Sequence, residues 1–249
     1  MIGFYDYTVI LTYLSLLSGT TGIMLCLNGV GHPYLGMFFL LFSGLCDTFD
    51  GKVARSKKNR TEQMKKFGIQ IDSLSDLVAF GVLPACIGIS LLRYAIHIPG
   101  LSGFTCYILS NYQKPATYIL TFVAVLYVLA AMIRLAYFNV MEAKRQSETS
   151  ENRKYYQGLP ITSMAVIMPF LFVASMFFPG FRYFVGLLHA AMLIVGFLFI
   201  LNFRFRKPTN KELVVLVSVV AVAVFFILFY KEAWWARHGV VTKLKGVAP

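Results

Sequence analysis

Two apolar stretches, YLGMFFLLFSGLCDTFDGKVAR (34–55) and FGIQIDSLSDLVAFGVLPACIGISLLRY (67–94), flank a short basic connector, SKKNRTEQMKK (56–66). Each is long enough to cross a bilayer core, which takes about 20 residues of helix. A connector this short makes the two helices antiparallel neighbours. The first carries Asp47 and Asp50, the second Asp72 and Asp76. On insertion scales an acid near the bilayer centre costs about 2.5–3.5 kcal/mol. Four in one hairpin therefore need cations, metal ions, or a position near the membrane surface.

The composition places the rest of the chain in the same solvent. Of 249 residues, 58% are hydrophobic and 14% charged, with a mean hydropathy of +0.69. A soluble domain averages about 45–50% apolar and about 25% charged. This excludes a soluble globular protein and predicts an all-α integral membrane protein, because helices satisfy their own backbone groups in lipid. Apolar runs fall at 8–30, 34–55, 67–94, 117–140, 159–178, 183–203 and 213–230, giving six or seven spans. Pro33 stands where a helix can start, and Pro160 and Pro179 stand near the ends of the fifth run. The N-terminus lacks a basic region and carries Asp6, so no cleaved signal peptide is expected. Cys26, Cys46, Cys86 and Cys106 show no metal or disulfide spacing and read as small hydrophobes. His32, His97, His189 and His238 are scattered and read as no ligand set.

The net charge of +12 is concentrated in alternate connectors. Segment 56–66 holds five Lys and Arg, and 141–157 and 203–212 hold four each. The intervening connectors hold only Lys114 (95–116) and Arg182 (179–182). The basic connectors are expected in the cytoplasm, facing anionic lipid rather than nucleic acid, with the N-terminus on the same side. A seventh span would leave the basic tail 231–249 outside, unless the last run turns back or lies at the interface, which suits Trp234 and Trp235.

Helical rise fixes the depth of the acids. Asp50 lies six residues before the connector and Asp72 six after it; Asp47 lies nine before and Asp76 ten after. At about 1.5 Å per residue these pairs reach matched depths of roughly 9 and 14 Å. Asp47 and Asp50 are spaced i, i+3, and Asp72 and Asp76 i, i+4, so each pair shares a helix face. Four converging carboxylates repel one another and suit hard divalent cations, Mg²⁺ or Mn²⁺. Two such ions would neutralise a phosphate substrate and clamp an in-line displacement. Gly51 and Ala54 keep one helix face small beside the acids, Arg55 offers a planar fork for a pyrophosphate, and Gly68 clears the opposing wall one turn before Asp72.

Written out, the stretch is Asp47-x2-Asp50-Gly51-x2-Ala54-Arg55-x12-Gly68-x3-Asp72-x3-Asp76. It resembles the signature of the CDP-alcohol phosphotransferases, membrane enzymes that move a phosphatidyl or related group from a CDP-alcohol to a second alcohol. That pattern usually has eight or nine residues between Arg and the second Gly; here there are twelve, among them Lys57, Lys58, Arg60, Lys65 and Lys66. The runs IDSLSDLVAFGVLPA (71–85), RLAYFNV (134–140) and GLP (158–160) are similar to the branch whose acceptor is serine. The resemblance runs from about 8 to 207.

It implies six core transmembrane helices over 1–207 and a homodimer with the site on the cytoplasmic side; 208–249 carries no match and reads as an extra hydrophobic helix and basic tail. Asp47, Asp50 and Asp72 would ligate two divalent ions. Asp76 would complete the second metal site and take the proton of the attacking hydroxyl. Gly51, Ala54, Arg55 and Gly68 would hold the nucleotide of CDP-diacylglycerol. The expected reaction transfers a phosphatidyl group to L-serine, giving phosphatidylserine and CMP.

For the acceptor, Arg134 is a cation well inside a span that could grip a serine carboxylate, against a plain packing role. Asn139 and Ser73 are weaker candidates, with helix capping and back-bonding as the competing roles. An inositol phosphate or glycerol phosphate acceptor keeps the same chemistry but needs more pocket cations. A cation channel or carrier would use the four acids as an ion site. Beyond Ser43 and Ser90, segments 34–46 and 77–92 supply no polar path to the other side, which favours the enzyme.

Overall fold

Long apolar runs broken by polar connectors fold as helices because lipid offers the backbone no partner. A computed structural model describes residues 3–28, 32–57, 59–97, 104–148, 155–177 and 184–206, together with Val219 and Val222. After a 3₁₀ turn, Tyr7–Val9, the helices are α1 (Ile10–Leu27), α2 (Pro33–Ser56), α3 (Glu62–Asp76), α4 (Leu83–His97), α5 (Phe104–Glu148), α6 (Met164–Phe177) and α7 (Phe184–Ile200). A π-helical stretch, Leu77–Val82, joins α3 to α4 without a break. One continuous rod thus runs through the third apolar run, and the six expected core spans are all present as helices. Among the described residues, three segments are long and apolar enough to cross a membrane on those criteria alone: Tyr7–Leu27, Glu62–Arg93 and Pro115–Arg145. The protein is an all-α membrane protein.

Two boundaries differ from the sequence reading. Segment 95–116 reads as a connector, yet α5 begins at Phe104 and passes through Pro115. Proline removes one backbone donor, a loss that membrane helices tolerate. The second difference is a two-stranded antiparallel ribbon, Tyr155–Gln157 (β1) with Arg204–Arg206 (β2), pairing Tyr156 with Phe205. It ties together two of the three basic connectors. Pro33 is the first residue of α2, as expected. The last apolar run, the tail and both tryptophans lie outside the described residues, except for helical, exposed Val219 and Val222.

Lipid is as apolar as leucine, so helices associate in it by close packing and hydrogen bonds rather than by burying oil. The α1–α2 contact shows both. Ser43 Oγ donates to the Ser15 carbonyl at 3.1 Å, and Ser18 Oγ to the Phe39 carbonyl at 2.7 Å. A Cβ on Gly36 would lie 2.5 Å from Cys26 Sγ, so only glycine fits this crossing. The centre of the bundle is filled by Met37, Leu40, Phe80, Leu83, Ile87, Tyr127, Met168 and Met192. Tyr127 Oη donates to the Phe80 carbonyl inside the π stretch at 2.6 Å, pinning α5 where the helical ladder changes register. Exposed Ile119, Phe122, Val125 and Leu129 on α5, with Ile194 and Phe197 on α7, face outward as lipid-facing side chains do. Cys26 and Cys46 are buried free thiols, and Cys86 is half-buried and free. The Cys106 side chain lies outside the described residues.

Candidate active site

The short connector forces α2 and α3 to run antiparallel, and the matched depths follow. Carboxylate oxygens of Asp47, Asp50 and Asp72 all lie within 4.8 Å of one another. Asp72 lies against Asp50, and Asp76 lies against Asp47. These are the two pairs that helical rise matches in depth. Asp76 thus joins the cluster through Asp47 rather than as one of the three tightest members. The π stretch begins at the residue after Asp76, so α3 keeps its acids on one face while the rod beyond turns Phe80 and Leu83 to the core.

At an effective dielectric of about 20, two like charges 4.8 Å apart repel by roughly 3 kcal/mol. Among the described residues no Lys or Arg pairs with any of the four acids. Their ion pairs lie elsewhere, Lys57 with Asp6, Lys65 with Glu62 and Arg145 with Glu142. Hard oxygen donors at this spacing, without a protein cation, fit a divalent ion.

Helix α1 supplies a residue that the sequence reading missed. Thr12 Oγ1 donates to Asp50 Oδ2 at 3.4 Å, and the Thr12 carbonyl accepts from Ser75 Oγ at 3.1 Å. Thr12 therefore ties α1 to both acid-bearing helices. A signal existed: Thr8, Thr12, Ser15 and Ser18, spaced by three or four, form a buried hydroxyl stripe from the 3₁₀ turn along α1.

The expected nucleotide residues lie at the connector end of the same hairpin. A Cβ on Gly51 would sit 3.2 Å from Arg55 Nη1, so the guanidinium folds back over the glycine one turn earlier. Gly68 is covered in the same way, but by Arg60, whose Nη2 would lie 2.7 Å from a Cβ there. Arg60 Nη1 also reaches the Ala54 carbonyl at 3.4 Å, and Nη2 the Met64 carbonyl at 3.2 Å. The extended connector thus turns one of its cations onto two residues of the signature.

The N-terminal segment closes over the connector. Lys57 Nζ donates to Asp6 Oδ2 at 2.8 Å and lies 5.9 Å from the Tyr7 ring centre, while Phe4 meets Phe67 edge-on. The Lys57 hydrogen bond holds the Asp6 carboxyl below its ordinary range. Lys65 does the same for Glu62.

Of the acceptor candidates, two meet. Asn139 Nδ2 donates to Ser73 Oγ at 2.7 Å, bringing α5 against α3 beside Asp72. Ser73 Oγ in turn donates to the Ile69 carbonyl at 3.0 Å. Arg134 is 5% exposed and directed to another element. Its Nε donates to the Leu159 carbonyl at 3.0 Å and its Nη2 to the Gly158 carbonyl at 3.4 Å, with the guanidinium 5.5 Å from the Phe138 ring centre. Gly158 has φ +70°, a conformation that favours glycine, and its amide donates to the Phe203 carbonyl. Arg134 therefore anchors the turn that leads from the ribbon into α6.

Comparison with known proteins agrees with this architecture. The family model for CDP-alcohol phosphatidyltransferase matches residues 8–201. The CDP-diacylglycerol–serine O-phosphatidyltransferase of Saccharomyces cerevisiae is 34% identical over 166 residues, 63% of this chain and 51% of the relative. The protein of the same name from Methanocaldococcus jannaschii is 26% identical over 211 residues, 83% of this chain and 78% of the relative. The archaetidylserine synthase of Methanothermobacter thermautotrophicus is 30% identical over 172 residues, 69% of this chain and 58% of the relative. The match to the yeast relative spans about half of that protein's length. Since the family match takes in α1 through α7 and the whole acid-bearing hairpin, the chain belongs to the CDP-alcohol phosphatidyltransferase family.

Proposed function

We propose that this protein transfers the phosphatidyl group of CDP-diacylglycerol to L-serine, releasing CMP and leaving phosphatidylserine in the membrane. The observation that carries this is the cluster of Asp47, Asp50 and Asp72 oxygens within 4.8 Å, beside Asp76 and a small-residue wall. The relatives' names add serine as acceptor: serine appears in each of the three, across two kinds of lipid.

In this reading Asp47, Asp50 and Asp72 hold two divalent ions, Mg²⁺ or Mn²⁺, with Asp76 completing the second site. When bound, such ions neutralise the diphosphate and favour in-line displacement. Gly51, Ala54 and Gly68 form the small-residue wall of the nucleotide site, and Arg55 grips the diphosphate with its planar fork. Asp76 accepts the proton of the serine hydroxyl as that oxygen attacks the phosphorus of the phosphatidyl group. The bond from that phosphorus to the CMP oxygen breaks, and CMP leaves with the electron pair. Ser73 and Asn139, joined beside Asp72, orient the acceptor, and Arg134, whose Nε and Nη2 are taken by the Leu159 and Gly158 carbonyls, acts through the turn it anchors.

The reading sets the catalytic unit at residues 1–207, with 208–249 as an added helix and tail. It sets the site on the cytoplasmic side, supported by the ribbon that gathers two basic connectors. A homodimer belongs to the same reading, and mass measurement in detergent tests it. The decisive assay is purified protein with CDP-diacylglycerol, divalent metal and each alcohol in turn, scoring CMP release and the lipid product. Serine is expected to be preferred. A preference for glycerol phosphate or an inositol phosphate would replace the acceptor, and no CMP release with any alcohol would sink the reading.

A further inference from the structure

Arg60 stands in the connector between α2 and α3, outside the eight residues of the signature. Part of its geometry is that of a helix cap. The Ala54 carbonyl belongs to the last turn of α2, where carbonyls lack helical partners, and Arg60 Nη1 satisfies it at 3.4 Å. Capping leaves two features without an account. Arg60 Nε is buried with no hydrogen-bond partner, and among the described residues no carboxylate pairs with the guanidinium. Its charge also lies on Ala54 and Gly68, two of the small residues that wall the nucleotide site. A buried charged donor left unsatisfied is costly, and a ligand acceptor removes that cost.

We infer that Arg60 is a second guanidinium of the nucleotide site, donating from Nε to a diphosphate oxygen. This rests on the transferase reading above. Arg55 folds over Gly51 on α2, and Arg60 folds over Gly68 on α3. Gly51 directly follows Asp50, and Gly68 precedes Asp72 by one turn, so the two forks flank the entrance to the acid cluster. The diphosphate of a CDP-alcohol is a diester with one ionised oxygen on each phosphorus. Two charges thus meet two planar forks, a geometry that lysine does not reproduce. The longer connector supplies the second fork.

The test is equilibrium binding of CDP and of cytidine to the detergent-purified full chain with divalent metal, in wild type, Arg60→Ala and Arg60→Lys. Cytidine keeps the base and lacks the diphosphate. Arg60→Ala is expected to weaken CDP about tenfold or more, the loss of a charge-assisted hydrogen bond, and cytidine less than about twofold. The KM for CDP-diacylglycerol should rise in parallel while the KM for serine holds. Arg60→Lys should recover only part of the CDP affinity. Unchanged CDP affinity, or equal losses for CDP and cytidine, overturns the inference and leaves a helix cap. If Arg60→Ala does not fold, Arg60→Lys carries the same comparison: loss confined to CDP supports diphosphate contact, and any other pattern overturns it. A wild type that shows this selectivity but releases no CMP from CDP-diacylglycerol would sink the transferase reading alone. An active wild type whose Arg60 variants keep CDP affinity would sink the Arg60 assignment alone.

Discussion

The α2–α3 hairpin and the crossing of α5 with the 158–160 turn both bury charge within the bundle, and they treat it in opposite ways. Arg134 on α5 is received by protein: the carbonyls of Gly158 and Leu159 accept its N–H groups and Phe138 lies under the fork. The acids on α2 and α3 meet one another, and among the described residues Thr12 donates its hydroxyl to Asp50. A buried charge surrounded by its own protein partners stabilises a fold. A cluster of carboxylates without a counter-charge persists only if protons or a bound cation neutralise it. Burial alone therefore does not separate structural from functional charge; the partners do.

The comparison breaks most sharply at the acids. Changing Asp47 or Asp72 to Asn should bring CMP release to background while leaving a folded membrane protein, and chelation should do the same to wild type. Activity in chelator, or in either variant, would put the hairpin in the structural class with Arg134.

Asp76 comes next. Asp76→Asn should slow turnover by roughly 10² or more, the effect of losing a positioned base, about 3 kcal/mol in the barrier. CDP-diacylglycerol binding should fall less than in Asp47→Asn. Equal losses of nucleotide affinity in the two variants would make Asp76 a metal-site residue and no base.

On the other side of the comparison, Arg134→Lys keeps the charge and loses the fork. Its Tm should fall, because two carbonyls of the 158–159 turn lose their donor. The serine KM should rise about tenfold, with CDP-diacylglycerol affected less than about twofold. A lowered Tm with an unchanged serine KM would assign Arg134 to folding alone.

The smallest effect concerns the strap over the connector. Lys57 depresses the Asp6 carboxyl, so the pair stabilises the fold above the ordinary value of 3.8 and is lost as pH falls below it through the depressed value. Asp6→Asn should remove that part of the acid limb of a Tm-against-pH curve and leave neutral-pH activity close to wild type. An acid limb identical in both proteins would show that the pair contributes nothing measurable, as many ion pairs near a protein surface do not.

Much of the candidate site is legible in the sequence because helix geometry is local. Rise per residue and a short connector are enough to pair Asp50 with Asp72 and Asp47 with Asp76, and hydrophobic run length is enough to place six core helices. The acid-bearing signature was legible as chemistry for the same reason, since its residues all lie on one hairpin. Tertiary structure alone decided the rest. It chose Thr12 as the hydroxyl on Asp50, laid Arg60 over Gly68, turned Arg134 toward Gly158 and Leu159, and zipped Tyr155–Gln157 to Arg204–Arg206. The helix start at Phe104 and the π stretch after Asp76 were also invisible to periodicity. Thr12, Arg134 and the ribbon join residues distant along the chain, and an amphipathic pattern records which face a residue occupies, never which distant partner meets it. Arg60 is near its partners in sequence, but it sits in an irregular connector where no helical period tells the side chain where to point.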